Sequence, residues 1–320
     1  MSSLEFASSD ISKRVLSIQS HVVYGYVGNK SAVFPLQLCG FDVDVVNSVQ
    51  FSNHTGYAGG ITGEVLNGAQ LLDLACGLEK NNLLGNMSHL LTGYIGSISF
   101  LQSVVEVYTK LKEKNPDLIY VCDPVLGDNG KLYVPAELVE VYRTHILGIA
   151  TILTPNQFEC EQLTGRSVKT IEEAIASVLV IHKSGPEIVI VTSLELATHK
   201  DHIVMLASKK KTTNDGGHDD GDYEMWVLDI PHIEGSYTGT GDLTAALFLA
   251  RLFGDANLST AMQQVAASVS AVIKRTLHTS GPGAELRLVQ SKSDIENPVM
   301  GNFTPTPIAT DTIAQIEATL

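Results

Sequence analysis

The sequence predicts an α/β fold with a central, mostly parallel sheet flanked by helices. Three observations carry that prediction. Short β-branched apolar runs alternate along the chain with longer helical patterns, the signature of βαβ units. The run Ile188-Val189-Ile190-Val191 is apolar without alternation, as a strand covered on both faces must be. The chain has 320 residues, 44% of them hydrophobic and 18% charged, enough to bury a substantial core.

Arg14–Ile18 reads as the first strand, followed by Asp42–Val46, Leu90–Thr92, Leu118–Cys122, Thr151–Leu153 and Ile188–Val191. Between and after them, Asn29–Leu38, Gly63–Gly77, Ser99–Lys114, Ala136–His145, Asn156–Leu163 and Ile171–His182 read as helices. Thr170 with Glu173 forms a capping-box pattern, Gly77 and Gly165 mark helix ends, and Pro135 opens a helix. Ile203–Ala207 and Met225–Asp229 suit an antiparallel pair at the sheet edge, with Trp226 as packing. The polar, Gly-rich stretch Lys209–Tyr223 between them reads as a mobile loop. Without repeats or a clear linker, residues 1–320 are expected to form one domain, with 1–13 a flexible N-terminus.

The formal net charge of −14 argues against broad nucleic-acid binding, which needs a basic face to displace counterions. A phosphate site can still be positive locally, through helix N-termini and backbone N–H groups. Cys39, Cys76, Cys122 and Cys160 form no C-x-x-C pair, so a reducing compartment is expected rather than a disulfide or zinc framework. Cys122, in an apolar run, is expected to be a buried, inert thiol. No apolar run suits a signal peptide or a membrane span; the expected location is cytoplasmic.

Three motifs carry chemistry. Gly239-Thr240-Gly241-Asp242 precedes the helical run LTAALFLARLF. Its glycines let the backbone approach a ligand, and the helix N-terminus supplies N–H groups for a phosphoryl group in transfer. Asp242 at the helix start could take the proton of an attacking hydroxyl. The same tetrapeptide also suits an ordinary Asp cap after a glycine turn. Asp123-Pro124-Val125-Leu126-Gly127-Asp128 follows a strand directly, where open parallel sheets bind ligands. Its carboxylates suit Mg²⁺, but taken alone the motif reads better as an Asp-Pro turn with a structural carboxylate. Thr154-Pro155-Asn156-Gln157-Phe158-Glu159 also ends a strand and opens a helix. Asn156 and Glu159 could complete a magnesium–phosphate site, or serve as helix cap and N3 partner, or both. Together the three suit phosphoryl transfer, which depends on positioning and charge neutralisation. There is no G-x-x-x-x-G-K-[ST] loop, and no G-x-G-x-x-G follows the first strand. His21 and His54 read as structural, hydrogen-bonded histidines.

GTGD, DPVLGD and TPNQFE resemble the ribokinase-like fold, a three-layer α/β architecture. VLSIQSHVVYGY at 15–26, VNSVQFSNHTGY at 46–57, LTGY at 91–94 and ELRLVQSKSDIENP at 285–298 resemble the pyridoxal kinases within it. The resemblance implies an enzyme that phosphorylates the 5′-hydroxymethyl group of pyridoxal, and of pyridoxine and pyridoxamine, with ATP in vitamin B6 salvage. It implies that Ser20, Thr55 and Tyr94 line the pyridoxal pocket, with Val49 and Phe51 on the ring and Asp242 as base. It gives the backbone of Gly239, Thr240 and Gly241 to the transferring phosphoryl group. Asp123, Asp128, Thr154, Asn156, Glu159, Thr192 and Ser193 fall around ATP, with Asp123, Thr154 and Glu159 near the divalent cation, Mg²⁺ or another. Tyr133 falls in a flap over the site. A monovalent cation, K⁺ or Na⁺, and a homodimer are implied as well, with no nucleic-acid or membrane partner. Two stretches depart from the family pattern: Ala58-Gly59-Gly60-Ile61-Thr62, where relatives often carry an aromatic and then a lysine, and the short run from Asp128 to Tyr133. Two alternatives stand beside this reading: a kinase of another hydroxymethyl heterocycle such as hydroxymethylpyrimidine, and a vitamer-binding protein without catalysis.

Overall fold

The computed structural model describes residues 13–212, 218–253 and 257–320. The expected N-terminal tail, apart from Lys13, lies outside them, as do residues 213–217 of the expected loop. In chain order the elements are β1 (Arg14–Val22), α1 (Asn29–Leu38), β2 (Asp42–Phe51), β3 (Gly63–Val65), α2 (Gly68–Lys80), β4 (His89–Thr92) and α3 (Ile98–Lys114). Then follow β5 (Ile119–Cys122), β6 (Gly127–Asp128), β7 (Lys131–Leu132), α4 (Glu137–Val141), β8 (Ile152–Leu153), α5 (Gln157–Thr164), α6 (Ile171–Ser184) and β9 (Ile188–Leu194). The chain ends with β10 (His202–Thr212), β11 (His218–Pro231), α7 (Thr240–Leu252), α8 (Leu258–Ser280), α9 (Lys292–Glu296), β12 (Thr306–Pro307) and α10 (Thr310–Glu317).

One 10-stranded sheet runs β12-β11-β10-β9-β8-β5-β4-β1-β2-β3. Its middle, from β9 to β2, is parallel throughout. Antiparallel strands finish both sides: β3 on β2, and β10, β11 and β12 beyond β9.

Strand periodicity sorts side chains between two cores. Leu16, Ile18, Leu90, Tyr120, Val189 and Val191 face a cluster built with α2, α3, α4 and α6. Val15, Leu91, Val121, Ile188 and Ile190 face the other, built with α1, α7, α8 and α9. Each central strand is thus buried on both faces, which explains its unbroken apolar sequence. The result is helix layer, sheet, helix layer. Cys122 lies fully buried in the first core, where burial pushes its thiol up to about 12; it is the inert thiol expected of that position.

Four expectations are corrected. The helix expected over Gly63–Gly77 is instead strand β3 followed by α2, which begins at Gly68. Asn67 and Gln70 form a full capping box there, so the backbone before them is free to pair with β2. Gly77 ends nothing: α2 continues through it to Lys80. At α6, Thr170 accepts from Glu173 N–H, but the Glu173 carboxylate takes the Lys169 N–H, so the box is only half formed. The expected loop Lys209–Tyr223 is largely strand, because β10 and β11 pair out to Thr212 and His218, with a register shift between Lys210 and Thr212. The antiparallel pair itself is as expected; Trp226 pairs with Pro307 of β12 and donates to Glu224 (2.7 Å). The longest helix, α8, is absent from the elements predicted above.

Candidate active site

In a parallel sheet the carboxyl ends of the strands share one edge, and ligands bind there. Along this edge, in sheet order, come Phe51 ending β2, Ser20 near the end of β1, Tyr94 after β4, Asp123 after β5, Thr154 after β8, and Thr192 and Ser193 in the last turns of β9. Adjacent strands are about 4.8 Å apart, so the row is continuous.

On the β1–β2 side, the ladder slips one residue between Gln19 and Ser20, and Ser20 pairs with Val49. Bulges of this kind commonly sit beside active sites, where they re-aim a side chain. The extra residue, Ser48, is buried and donates to the Tyr94 carbonyl (2.6 Å), joining β2 to the segment after β4. Beneath the slip lies a buried polar network that sequence reasoning missed. Asn29, opening α1, accepts from Ser17 (2.8 Å) and donates to Asn47 (2.9 Å) and to the Val46 carbonyl (3.1 Å). Gln19 donates to Ser17 (2.9 Å). Its sequence signal is Gln19 and Asn47 among apolar strand residues, an expensive placement that these bonds offset, though Gln19 Oε1 is buried without a protein partner. Val49 is fully buried, whereas Phe51 and Tyr94 are partly buried and Thr55 is exposed on the loop between β2 and β3.

On the β5–β8 side, Asp123, Thr154 and Glu159 are all buried. Glu159 accepts from Leu126 N–H (3.0 Å) and Asn156 N–H (2.8 Å), while Asn156 caps α5 and donates to Gly127 O (2.8 Å). Asn156 and Glu159 therefore form the expected capping box, and their hydrogen bonds fix the DPVLGD segment to the start of α5. Burial pushes Glu159 up to about 8, against those backbone bonds. Asp123 is raised well above the usual carboxylate range by burial, then by the charges of Glu159 and Asp242. Thr154 Oγ1, though near enough to Asp123 to moderate that rise, is buried without a hydrogen bond of ordinary geometry.

Carboxylates crowded in this way, beside an orphaned hydroxyl, fit a divalent cation that would neutralise them. Among the described residues no three His, Cys, Asp or Glu side chains are arranged to cage an ion by themselves. Magnesium keeps several waters and leans on substrate phosphates, so a few protein oxygens suffice to hold it. Asp128 is exposed in a two-residue hairpin formed by β6 and β7. Asn129 and Gly130, with φ of 50° and 73°, make the turn of type I′ that Asn-Gly favours. That dipeptide was a legible signal for a hairpin, and it places the exposed Tyr133 just beyond β7.

Gly239 closes the site. Its φ is +87°, and a Cβ there would lie 2.0 Å from the Tyr26 carbonyl oxygen, so only glycine fits. The loop thereby packs against the segment between β1 and α1. Thr240 starts α7 and donates to Tyr237 O (3.1 Å). Asp242, half-buried in the first turn, is pushed up to about 6 by burial, a rise moderated by the nearby Gly28 backbone N–H. Gly241 lies beside Asp123, with 3.8 Å from its would-be Cβ to Asp123 Oδ2. The expected phosphoryl loop, base and cation carboxylate are therefore brought together, and the Gly28 and Tyr26 contacts are additions. His54 is hydrogen-bonded, as expected: Gly56 N–H donates to its Nδ1 (3.1 Å) and its Nε2 meets Glu285 (3.2 Å).

A helix N-terminus held open by glycine, a carboxyl group in its first turn and a buried acidic cluster alongside define a phosphoryl-transfer enzyme of the ribokinase-like fold. The family model described as phosphomethylpyrimidine kinase matches residues 87–285. The chain is 48% identical over 295 residues to a pyridoxal kinase of Arabidopsis thaliana, covering 89% of this chain and 92% of the relative. It is 43% identical over 303 residues to the Homo sapiens pyridoxal kinase, covering 89% and 96%. A solved pyridoxal kinase from Leishmania donovani, in complex with ADP and ginkgotoxin, superposes with a TM-score of 0.86 at 35% identity, covering 93% of this chain and all of that one. The chain belongs to the pyridoxal kinase family.

Proposed function

We propose that this protein transfers the γ-phosphoryl group of ATP to the 5′-hydroxymethyl group of pyridoxal and of the related vitamers. The observation that carries this reading is the order of residues along the sheet edge. Ser20, Val49, Phe51 and Tyr94, from β1, β2 and β4, form the acceptor side, with Thr55 at its rim. Asp123, Thr154, Thr192 and Ser193, from β5, β8 and β9, form the nucleotide side. The GTGD loop stands where the two meet. Relatives from Leishmania donovani have been solved with ADP and pyridoxamine and with ADP and pyridoxine, which supports the same pair of ligands here.

Asp242 takes the proton of the acceptor hydroxyl as its oxygen attacks the γ-phosphorus, and ADP leaves with the electrons of the broken bond. Its raised pKa places it near the operating pH, where a base is most effective. Backbone N–H groups of Gly239, Thr240 and Gly241 meet the charge that develops on the phosphoryl oxygens. A divalent cation beside Asp123 and Thr154, with the charge of Glu159 behind it, would neutralise the phosphate oxygens. Asp128, Asn156 and the hairpin shape the wall around the phosphates, and Tyr133 shields the site from water. We also assign to this chain the family's monovalent cation and homodimeric state, a cytoplasmic location and a single domain.

The match to the phosphomethylpyrimidine kinase model keeps a pyrimidine acceptor as a second reading. One assay tests both: purified protein with Mg-ATP, and either pyridoxal or hydroxymethylpyrimidine, following ADP and phosphorylated product. Pyridoxal 5′-phosphate formed in step with ADP is the expected result. Product from the pyrimidine alone would replace the reading, and binding of pyridoxal without ADP release would make the chain a carrier.

A further inference from the structure

Glu285 lies outside every element assigned to catalysis, yet its carboxylate meets three groups near the site. It follows α8 in an irregular segment and is anchored by Leu286 and Leu288, both fully buried. Oε2 accepts the Tyr26 backbone N–H (2.8 Å). Oε1 accepts the Tyr57 hydroxyl (2.8 Å) and faces His54 Nε2 (3.2 Å). Because His54 Nδ1 accepts from Gly56 N–H (3.1 Å), its Nε2 is the nitrogen left to carry hydrogen toward Glu285. Gly25 makes the approach possible: with φ of +95°, a Cβ there would lie 2.3 Å from Oε1. The rings of His54 and Tyr57 pack 4.7 Å apart, closing the cluster.

The three donors come from two segments that otherwise meet through the Tyr24 N–H to Ser52 carbonyl bond (2.9 Å) and an edge-on contact of the Tyr24 and Tyr57 rings (6.4 Å). Residues 52–62 link β2 to β3 and carry Thr55 between His54 and Gly56. Residues 23–28 link β1 to α1, place the Tyr26 carbonyl against Gly239 and bring the Gly28 backbone near Asp242. We infer that Glu285 is a positioning residue, a clasp that holds the acceptor-side loop against the segment supporting the base and the phosphoryl loop. This role rests on the proposed kinase reading. The Tyr57 hydroxyl is pushed up to about 12, chiefly by its bond to Glu285, so it remains a donor at any working pH. A clasp of this kind acts on the acceptor and leaves the nucleotide side, built on β5, β8 and β9, alone.

The test uses the full chain and two mild variants, Glu285→Gln and Tyr57→Phe. Turnover of pyridoxal by the parent is measured first; its absence overturns the kinase reading, and the clasp is then judged by amide exchange. Glu285→Gln is expected to raise the acceptor KM about tenfold while the KM for ATP stays within about twofold, the loss of one charge-assisted acceptor. Tyr57→Phe should act in the same direction and less, and the double variant should be no worse than Glu285→Gln alone. Amide exchange should quicken in residues 23–28 and 52–62 of both variants and nowhere else. Equal effects on both KM values, exchange that quickens throughout, or unchanged exchange in those two segments would overturn the clasp.

Discussion

Asp242 and Gly239 bear on one reaction in different ways. Asp242 acts as base only when ionised. With its carboxyl raised to about 6, kcat/KM should climb as pH rises through that value and level off above it; a profile flat from pH 5 to 8 would remove Asp242 from the proton transfer. Asp242→Asn should lower kcat by about 10²–10⁴-fold while pyridoxal and ATP still bind, read by turnover and calorimetry together. Gly239→Ala tests the loop instead. Its methyl group would push against the Tyr26 carbonyl in a left-handed backbone, so a fall in kcat of about 10²-fold or more is expected, from displaced phosphoryl-binding N–H groups. Asp123, Glu159 and Asp242 were legible in sequence because each sits in a motif that ends a strand or opens a helix; the approaches that place them were not, because Tyr26 and Gly28 come near Gly239 and Asp242 across more than 200 residues.

The elements divide in the same way. The parallel strands and α1, α3, α5 and α6 were legible to within a few residues, since burial on two faces writes itself into composition. Strand β3 was not, because three exposed residues pairing with β2 carry no pattern of their own. Nor was the extension of β10 and β11, since a polar sequence says little about pairing once its partner strand is fixed elsewhere. Two further expectations belong to this scale. The β6–β7 hairpin depends on an Asn-Gly turn, so Gly130→Val should loosen it and raise ATP hydrolysis in the absence of acceptor; unchanged background hydrolysis would detach the hairpin from water exclusion. His182, whose ring nitrogens meet Pro186 O and Ser208 Oγ, and His89, between Phe41 and Phe253, are both buried and pushed down to about 4, mainly by burial. A base whose folded pKa lies below its unfolded value stabilises fully above the unfolded pKa, about 6.5. That contribution, about 3 kcal/mol for each, should be lost as pH falls from there to about 4. Denaturant midpoints across that window should fall less steeply in His89→Phe than in the parent.

At the scale of the molecule, ten strands and two helix layers keep the residues proposed for the acceptor to one side of the edge and those proposed for the nucleotide to the other. Binding to each side should therefore be separable, and saturating Mg-ADP should raise the melting temperature by mass action whether or not acceptor is present; at 100 times Kd the gain is about 2.7 kcal/mol. The arrangement along the sheet also has a counterpart in time. During synthesis the acceptor wall, complete by Tyr94, leaves the ribosome first, and the nucleotide wall is complete by Ser193. The group that joins them, at 239–242, emerges later, and the Glu285 carboxylate later still. A chain broken off between residues 193 and 239 would carry the walls of a kinase without the means to move a phosphoryl group. Incomplete products of translation would then be unable to squander ATP, a safeguard that follows from nothing more than the order in which the segments were threaded into the sheet.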